Sequence, residues 1–244
     1  AGVGALQDNL DGQIISQVQQ QLGALLLLCA FLSFGGLTCL EVFESERVLF
    51  LHERANGFYQ AGSFFLSKLL FDTVLLRIIP PIFTGTLFYF LMDMRAGFVH
   101  FVVFITVLTL CNLTAASICM LVGLAITNRA LALLVASLVI LLSLSLTNLF
   151  NNSGSMPSWA AWVHYLSFFN YAYEALVINE LKDINFQGVA LGAEALSVEA
   201  NQLLDELGFE VENYALDIFV LTGLFLLGQL LTFLLLQYRI KLVR

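Results

Sequence analysis

The sequence predicts an all-α, polytopic membrane protein, and three observations carry that fold class. Of 244 residues, 59% are hydrophobic and only 11% charged, with a mean hydropathy of +0.89; a soluble domain is about 45–50% apolar and about 25% charged. Long stretches carry no formal charge: Leu22–Leu40, the residues between Arg95 and Arg129, Ala130–Tyr173, and Ile218–Tyr238. Three prolines beside 22 phenylalanines exclude disorder and collagen-like repeats, and a net charge of −8 argues against a nucleic-acid partner.

A membrane helix needs about 20 apolar residues. The uncharged runs, with Leu69–Met92 interrupted only by Asp72 and Arg77, therefore predict five spans at about 22–40, 70–92, 98–127, 131–150 and 215–237. Ala1–Gln21 is polar, lacks the basic start of a signal peptide, and reads as an external or linker segment before the first span. The uncharged region after 150 is too long for one span, and Ser153, Gly154 and Pro157 break it. Residues 157–180 are therefore expected to form a re-entrant or interfacial segment, with Trp159, Trp162 and Tyr165 at headgroup depth.

Basic residues orient the spans. Arg47, Arg54, Lys68, Arg129, Arg239, Lys241 and Arg244 fall on one side if spans alternate, and Arg95 and Lys182 fall on the other. The C-terminus is thus expected in the cytosol. The loop 181–213, with seven acids against Lys182, is expected outside. An external start with an odd number of spans suggests one further span upstream.

Between the first two spans, Val48, Leu51, Ala55 and Phe58 make one apolar stripe, opposite Glu46, Arg47, Glu53 and Arg54. This cytosolic helix, about 43–62, either lies at the membrane interface or acts as a lever on a cytosolic partner. Arg77 sits two turns into the second span, where it either snorkels to the interface or stands beside a substrate pathway. Pro80 and Pro81 follow it and should kink the helix.

Chemical motifs are sparse. None of the three lysines follows a glycine, so no phosphate-binding Walker A loop is present, and HExxH and GxSxG are absent. This chain is not expected to be an enzyme, and no cofactor or metal is expected on it. The cysteines Cys29, Cys39, Cys111 and Cys119 lie in apolar runs and read as packing residues. Carboxylates in the membrane plane are expected to be confined to Asp72. The sequon at Asn112 falls inside a span and is disregarded as a glycosylation site.

Several separated segments resemble the G-subfamily, or white-type (breast cancer resistance protein type), ABC half-transporters. One is Gly23–Phe50 (GALLLLCAFLSFGGLTCLEVFESERVLF) with its continuation to Pro81. Within it Glu46–Tyr59 resembles E-x-x-x-F/L-x-x-E-R-x-x-G-x-Y, with His52 inserted, and Lys68–Pro80 resembles K-x-x-x-D-x-x-x-x-R-x-x-P. Downstream, PSWAAWVHYLSFFNYAYEALVINEL resembles the segment after the family's fifth span, which ends in A-L-x-x-N-E-F.

The resemblance implies a type-2 (G-type) ABC exporter transmembrane fold over 22–244. Spans two to six would be present, without the first span or the nucleotide-binding domain. It implies a homodimer or a heterodimer with a related half, a nucleotide-binding domain in cis upstream carrying ATP and Mg, and a lipid, sterol or apolar xenobiotic as substrate. By the same resemblance Phe34, with Phe31 beside it, matches the aromatic clamp of the substrate cavity. Leu141, Leu144 and Ser145 match its wall, and Leu149 and Phe150 the plug above it. Glu41, Glu46, Arg47, Glu53, Arg54 and Arg77 match coupling positions. Loop 151–213 lacks the family's external cysteines. The chain is thus expected to be the membrane domain of an ATP-driven exporter in the plasma membrane or an internal membrane. The alternatives are a motorless scaffold of the same fold, or a permease subunit whose ATPase is a separate chain. A secondary transporter is disfavoured by the lack of inverted repeats.

Overall fold

The computed structural model describes residues 2–40, 67, 72–147, 167–182, 209 and 213–242; side chains are described from 19, and within the later segments at 75–147 and up to 238. Every regular element among these residues is a helix. They are α1 (Gly2–Gly35), α2 (Asp72–Leu91), α3 (Phe98–Ala125), α4 (Arg129–Ser145), α5 (Phe168–Leu181) and α6 (Tyr214–Leu242). Gln19–Leu40, Phe98–Ala125 and Tyr214–Tyr238 are long and apolar enough to cross a membrane. Leu75–Leu91 and Arg129–Ser145 are shorter apolar helices.

α1 starts far ahead of its apolar run. The polar residues expected to form a segment before the span are helical from Gly2, and the 34-residue helix is ~51 Å long at ~1.5 Å per residue. It stops at a glycine pair. Gly36 N–H and Leu37 N–H turn back to the carbonyls of Ser33 (2.9 Å) and Phe34 (3.0 Å). A Cβ on Gly36 would stand 2.7 Å from the Ser33 carbonyl oxygen and 3.4 Å from the Ala116 amide of α3, so backbone approaches backbone here as only glycine allows.

α2 changes pitch where the prolines enter. Asp72–Ile78 is a π-helix, and the α-helix Ile79–Leu91 follows with Pro80 and Pro81 at its first positions. Prolines are tolerated at a helix start because the missing N–H groups are orphans there anyway. α2 ends in a Schellman turn: Asp93 takes φ 49° and Met94 N–H reaches the Tyr89 carbonyl at 3.1 Å. α4 is capped by Asn128, whose Oδ1 accepts from Ala130 and Leu131 N–H.

Pairwise contacts fix the direction of each helix. Along α1 and α3, Ser33 meets Cys111, Gly36 meets Ala116, and Leu40 meets Gly123, so the two run parallel. Along α3 and α6, Thr114 meets Leu221 and Ser117 meets Gly228, again parallel. Along α2 and α3, Arg77 meets Asn112, Gly85 meets Leu108, and Tyr89 meets Phe101, so α2 is antiparallel. Helices α1, α3 and α6 therefore cross in one sense and α2 in the other, as alternating spans require.

α3 is the hub. It packs on every other helix, and its middle, Cys111–Ser117, is buried without interruption. Small residues make that possible. A Cβ on Gly228 would lie 2.5 Å from Ser117 Oγ, so α6 seats against α3 at a distance that excludes a larger side chain. In lipid this close packing replaces the hydrophobic drive that water gives a soluble core. α6 turns its other side outward, with Phe219, Leu226, Leu230 and Leu234 exposed.

α5, the described part of the segment expected to be re-entrant or interfacial, is buried at every position except Tyr171. A helix buried all round belongs to an interior. It lies among α1, α3, α4 and α6. Ser167 Oγ donates to the Ser143 carbonyl of α4 at 2.7 Å, and Tyr173 Oη donates to the Leu22 carbonyl of α1 at 3.2 Å. Phe209 from the acidic loop packs edge-on to Tyr173 at 5.9 Å. Trp159, Trp162 and Tyr165 lie outside the described residues.

Candidate functional site

The first site is a polar node at the end of α1. Arg77 is only 2% exposed, so it does not snorkel to a surface. Its Nη1 donates to the Gly35 carbonyl (3.1 Å) and its Nη2 to Thr38 Oγ1 (3.3 Å), while Thr38 Oγ1 donates to the same Gly35 carbonyl (2.8 Å). The last carbonyls of a helix lack intrahelical donors and carry its negative dipole end. A guanidinium placed there satisfies both needs.

The node extends into α3. Asn112 is 2% exposed and its Nδ2 donates to the Arg77 carbonyl at 3.0 Å. In an α-helix that carbonyl would accept from the N–H four residues on, but residue 81 is proline. Asn112 thus supplies the donor that Pro81 lacks. Its burial also agrees with setting the Asn112 sequon aside. Arg77 therefore joins α1, α2 and α3 at one point, just beyond the glycine break.

The residues matched to a substrate cavity divide. Phe31 of α1 is 65% exposed and Leu141 of α4 47% exposed. Phe34 and Leu144 are partly buried and pack against the core. Ser145 is exposed, its hydroxyl donating to the Leu142 carbonyl. α1 and α4 touch each other, and α4 buries Ala132, Ala136 and Ile140 while Leu131, Leu134, Leu138 and Leu141 form an outward stripe. Leu149 and Phe150, and the coupling residues Glu41, Glu46, Arg47, Glu53 and Arg54, lie outside the described residues. Among the described residues no group of three or more histidine, cysteine or acidic side chains could hold a metal ion.

Sequence reasoning assigned no role to a second polar node at the other end of the bundle. Arg95 N–H donates to Glu180 Oε1 at 2.9 Å, and the Arg95 guanidinium to the Lys182 carbonyl. Tyr89 Oη donates to the Arg95 carbonyl. Asn179 Nδ2 donates to the His100 carbonyl (3.1 Å), and Asn179 Oδ1 faces both His100 Nδ1 and Tyr214 Oη at 3.3 Å. The node ties the α2–α3 turn to the end of α5 and the start of α6. Burial pushes the Glu180 carboxyl up from its ordinary value, against the lowering pull of the Arg95 amide and the Arg95 and His100 charges. The signal was in the sequence, as the Asn179–Glu180 pair ending the third family-like segment.

One expectation is corrected. Acidic side chains in the predicted spans are not confined to Asp72: Asp217, inside the apolar helix Tyr214–Tyr238, is 2% exposed, buried where α6 packs on α5. Among the described residues the Asp217 Oδ2 has no hydrogen-bond partner. The missed signal was a lone acid three residues into the last helix, inside the span as predicted.

Comparison with known proteins bears on what this bundle is. The family model for ABC-2 type transporters, their membrane domain, matches residues 3–181. The chain is 29% identical over 223 residues, 91% of its length, to ABC transporter G family member 24 of Dictyostelium discoideum, covering 19% of that protein. It is 29% identical over 222 residues to Protein white of Drosophila melanogaster, covering 90% of this chain and 32% of the relative. To the broad substrate specificity ATP-binding cassette transporter ABCG2 of Bos taurus it is 27% identical over 169 residues, covering 69% and 26%. It thus spans about a fifth to a third of the length of these curated relatives. With spans where apolar runs place them and an all-helical type-2 architecture, the chain belongs to the ABC-2 type transporter family, as a G-type transmembrane domain.

Proposed function

We propose that this membrane domain of an ABC exporter moves lipids, sterols or other flat apolar molecules. It pairs with a second half, identical or related, and is driven by ATP and Mg on a nucleotide-binding domain in cis. The C-terminus lies in the cytosol, consistent with the bias of basic residues and the parallel run of α1, α3 and α6.

The observation that supports this reading is the outward surface of α1 and α4. Phe31 and Leu27 on one, and Leu134, Leu138 and Leu141 on the other, present aromatic and aliphatic groups, and neither helix carries an Asp, Glu, Lys or Arg from Gln19 to Leu40 or from Ala130 to Ser145. Facing a second half, such a surface would bind by burial. Covering ~200 Å² of a flat ligand is worth ~5 kcal/mol at about 25 cal/mol per Å². No proton or ion need be exchanged, so the transport step requires an outside energy source, which ATP supplies by shifting an inward–outward equilibrium.

The test uses full-length protein in proteoliposomes. Phe31→Ala and Phe34→Ala should lower sterol- or drug-stimulated ATP turnover, and Glu46→Ala should leave ATP hydrolysis but lose coupled transport. Unchanged transport in all three variants would overturn the proposal.

A further inference from the structure

The node at the other end of the bundle from Arg77 holds a buried acid that no ion pair fixes among the described residues. Glu180 is 5% exposed beside the Arg95 backbone. A purely structural tie would join the two side chains as a salt bridge and keep the carboxylate ionised. Instead the Arg95 guanidinium donates to the Lys182 carbonyl, and Glu180 Oε1 accepts from the Arg95 backbone N–H at 2.9 Å. Asn179 bridges the neighbouring elements. Its Nδ2 donates to the His100 carbonyl (3.1 Å), so its Oδ1 is the group facing Tyr214 Oη and His100 Nδ1. His100 Nδ1 therefore bears a hydrogen whether the ring is neutral or charged, and its bond survives protonation. The Glu180 carboxyl is the member of the node whose charge decides how well it sits there.

We propose that this node is an acid-closed latch: protonated Glu180 holds the α2–α3 turn, the end of α5 and the start of α6 together, and ionised Glu180 turns to water and releases them. Burial raises the carboxyl above its ordinary value in the closed node, so the closed state binds the proton more tightly than an open state with the carboxyl in water. The preference for closure is complete below the ordinary value and is lost as pH rises through the raised one. Each pH unit separating the two values is worth a factor of about ten in the closed-to-open ratio. The groups around Glu180 are Tyr89 at the end of α2, Arg95 in the turn, His100 at the start of α3, Tyr214 on α6 and Lys182 on its own helix end. Further acids on these elements are Asp93 in the turn, Asp217 one turn along α6, and Glu174 six residues back along α5. α1 over 19–40 and α4 over 130–145 bring no acid, Lys, Arg or His. Resting on the proposed function and orientation, the node lies at the external face, so the signal is external or lumenal acid and the consequence is a brake on release.

The experiment uses the full-length protein in inside-out vesicles, with ATP at constant pH on the outside and the external face of the protein buffered inside at pH 7 or pH 5. Export should be about threefold slower at pH 5. Glu180→Gln keeps the acceptor without the titration and should be slow at both values, whereas His100→Gln should keep the response. A response that persists in Glu180→Gln, or is lost only in His100→Gln, overturns the assignment to Glu180. Hydrogen exchange at the Arg95 amide, followed in micelles and corrected for the intrinsic effect of pH, should slow from pH 7 to pH 5 and lose that dependence in Glu180→Gln. Exchange that stays constant or quickens at pH 5 overturns the latch. Slower exchange with unchanged export overturns the brake. Because the exchange readout needs no substrate, failure of the exporter reading would appear separately, as absent export by the native protein at both pH values.

Discussion

Replacing Asn112 by leucine isolates the bond that compensates for Pro81. Leucine keeps the branching of asparagine while removing both polar ends. The Arg77 carbonyl then loses its 3.0 Å donor in a place where proline offers none. A buried carbonyl left unpaired costs about 1–3 kcal/mol, although hydrogen bonds between membrane helices average only ~0.6 kcal/mol with a maximum near ~1.7. Part of the loss is returned, because Asn112 Oδ1 is itself buried with no partner among the described residues and leucine deletes it. The expected net cost is therefore about 1 kcal/mol, toward the membrane range. The diagnostic is a rescue. Pro81→Ala restores an N–H four residues beyond Arg77, so the double variant should recover most of the loss although Pro81→Ala alone gains little. Denaturation in mixed micelles, followed on all four proteins, gives the coupling energy directly. A double variant as unstable as Asn112→Leu would refute the exchange of one donor for the other.

Further predictions follow the same logic of named partners. Arg77→Met removes two donors from the end of α1 and should cost more than Arg77→Lys, which keeps the charge near the helix terminus; the same micelle denaturation ranks them. Because burial raises the Glu180 carboxyl in the folded protein, the neutral form favours folding there. Stability should therefore rise as pH falls through a window just above the ordinary carboxylate value. Glu180→Gln should abolish that rise at little cost, whereas Glu180→Ala should destabilise by exposing the Arg95 amide; thermal melts from pH 7 to 4.5 check both. Gly228→Val should clash with Ser117 and cost about 1–3 kcal/mol by overpacking, with partial recovery on adding Ser117→Gly.

The spans were legible because lipid demands long apolar helices, and that demand is written in composition as uncharged runs. The proline pair was legible as a break, since the missing N–H is a property of the residue. What replaced it was not: Asn112 lies 35 positions from Arg77, and only the antiparallel register of α2 on α3 brings them together. The same holds for Arg77, whose burial depends on α1 ending beside it. What α5 touches was not legible: the breaks at Ser153, Gly154 and Pro157 set its segment apart from the spans, but polar and apolar residues mix along it and name no partner. In the fold that mixture is shared among four neighbours, with Asn179, Glu180 and Tyr173 each finding a separate partner. Asp217 fell inside a predicted span without being weighed, since a single acid hardly lowers a 25-residue hydropathy average.

The distribution of these bonds indicates which part of the bundle is free to move. α1, α3 and α6 run parallel and meet through glycine and small side chains, so sliding one past another would force backbone into backbone. α2 is fixed to that group twice, by Arg77 and Asn112 at one end and by the Tyr89–Phe101 and Tyr89–Phe104 ring contacts near the other. α4 is held differently. Its buried face is Ala132, Ala136 and Ile140, with Ser143 accepting one hydrogen bond through its backbone carbonyl. The small apolar contacts of this face shift without leaving a polar group unpaired, while the Ser167–Ser143 bond is a polar tie that such a shift must break or carry along. A motion that widens or narrows the space beside α1 while the α1–α2–α3 node stays whole is therefore expected to involve α4.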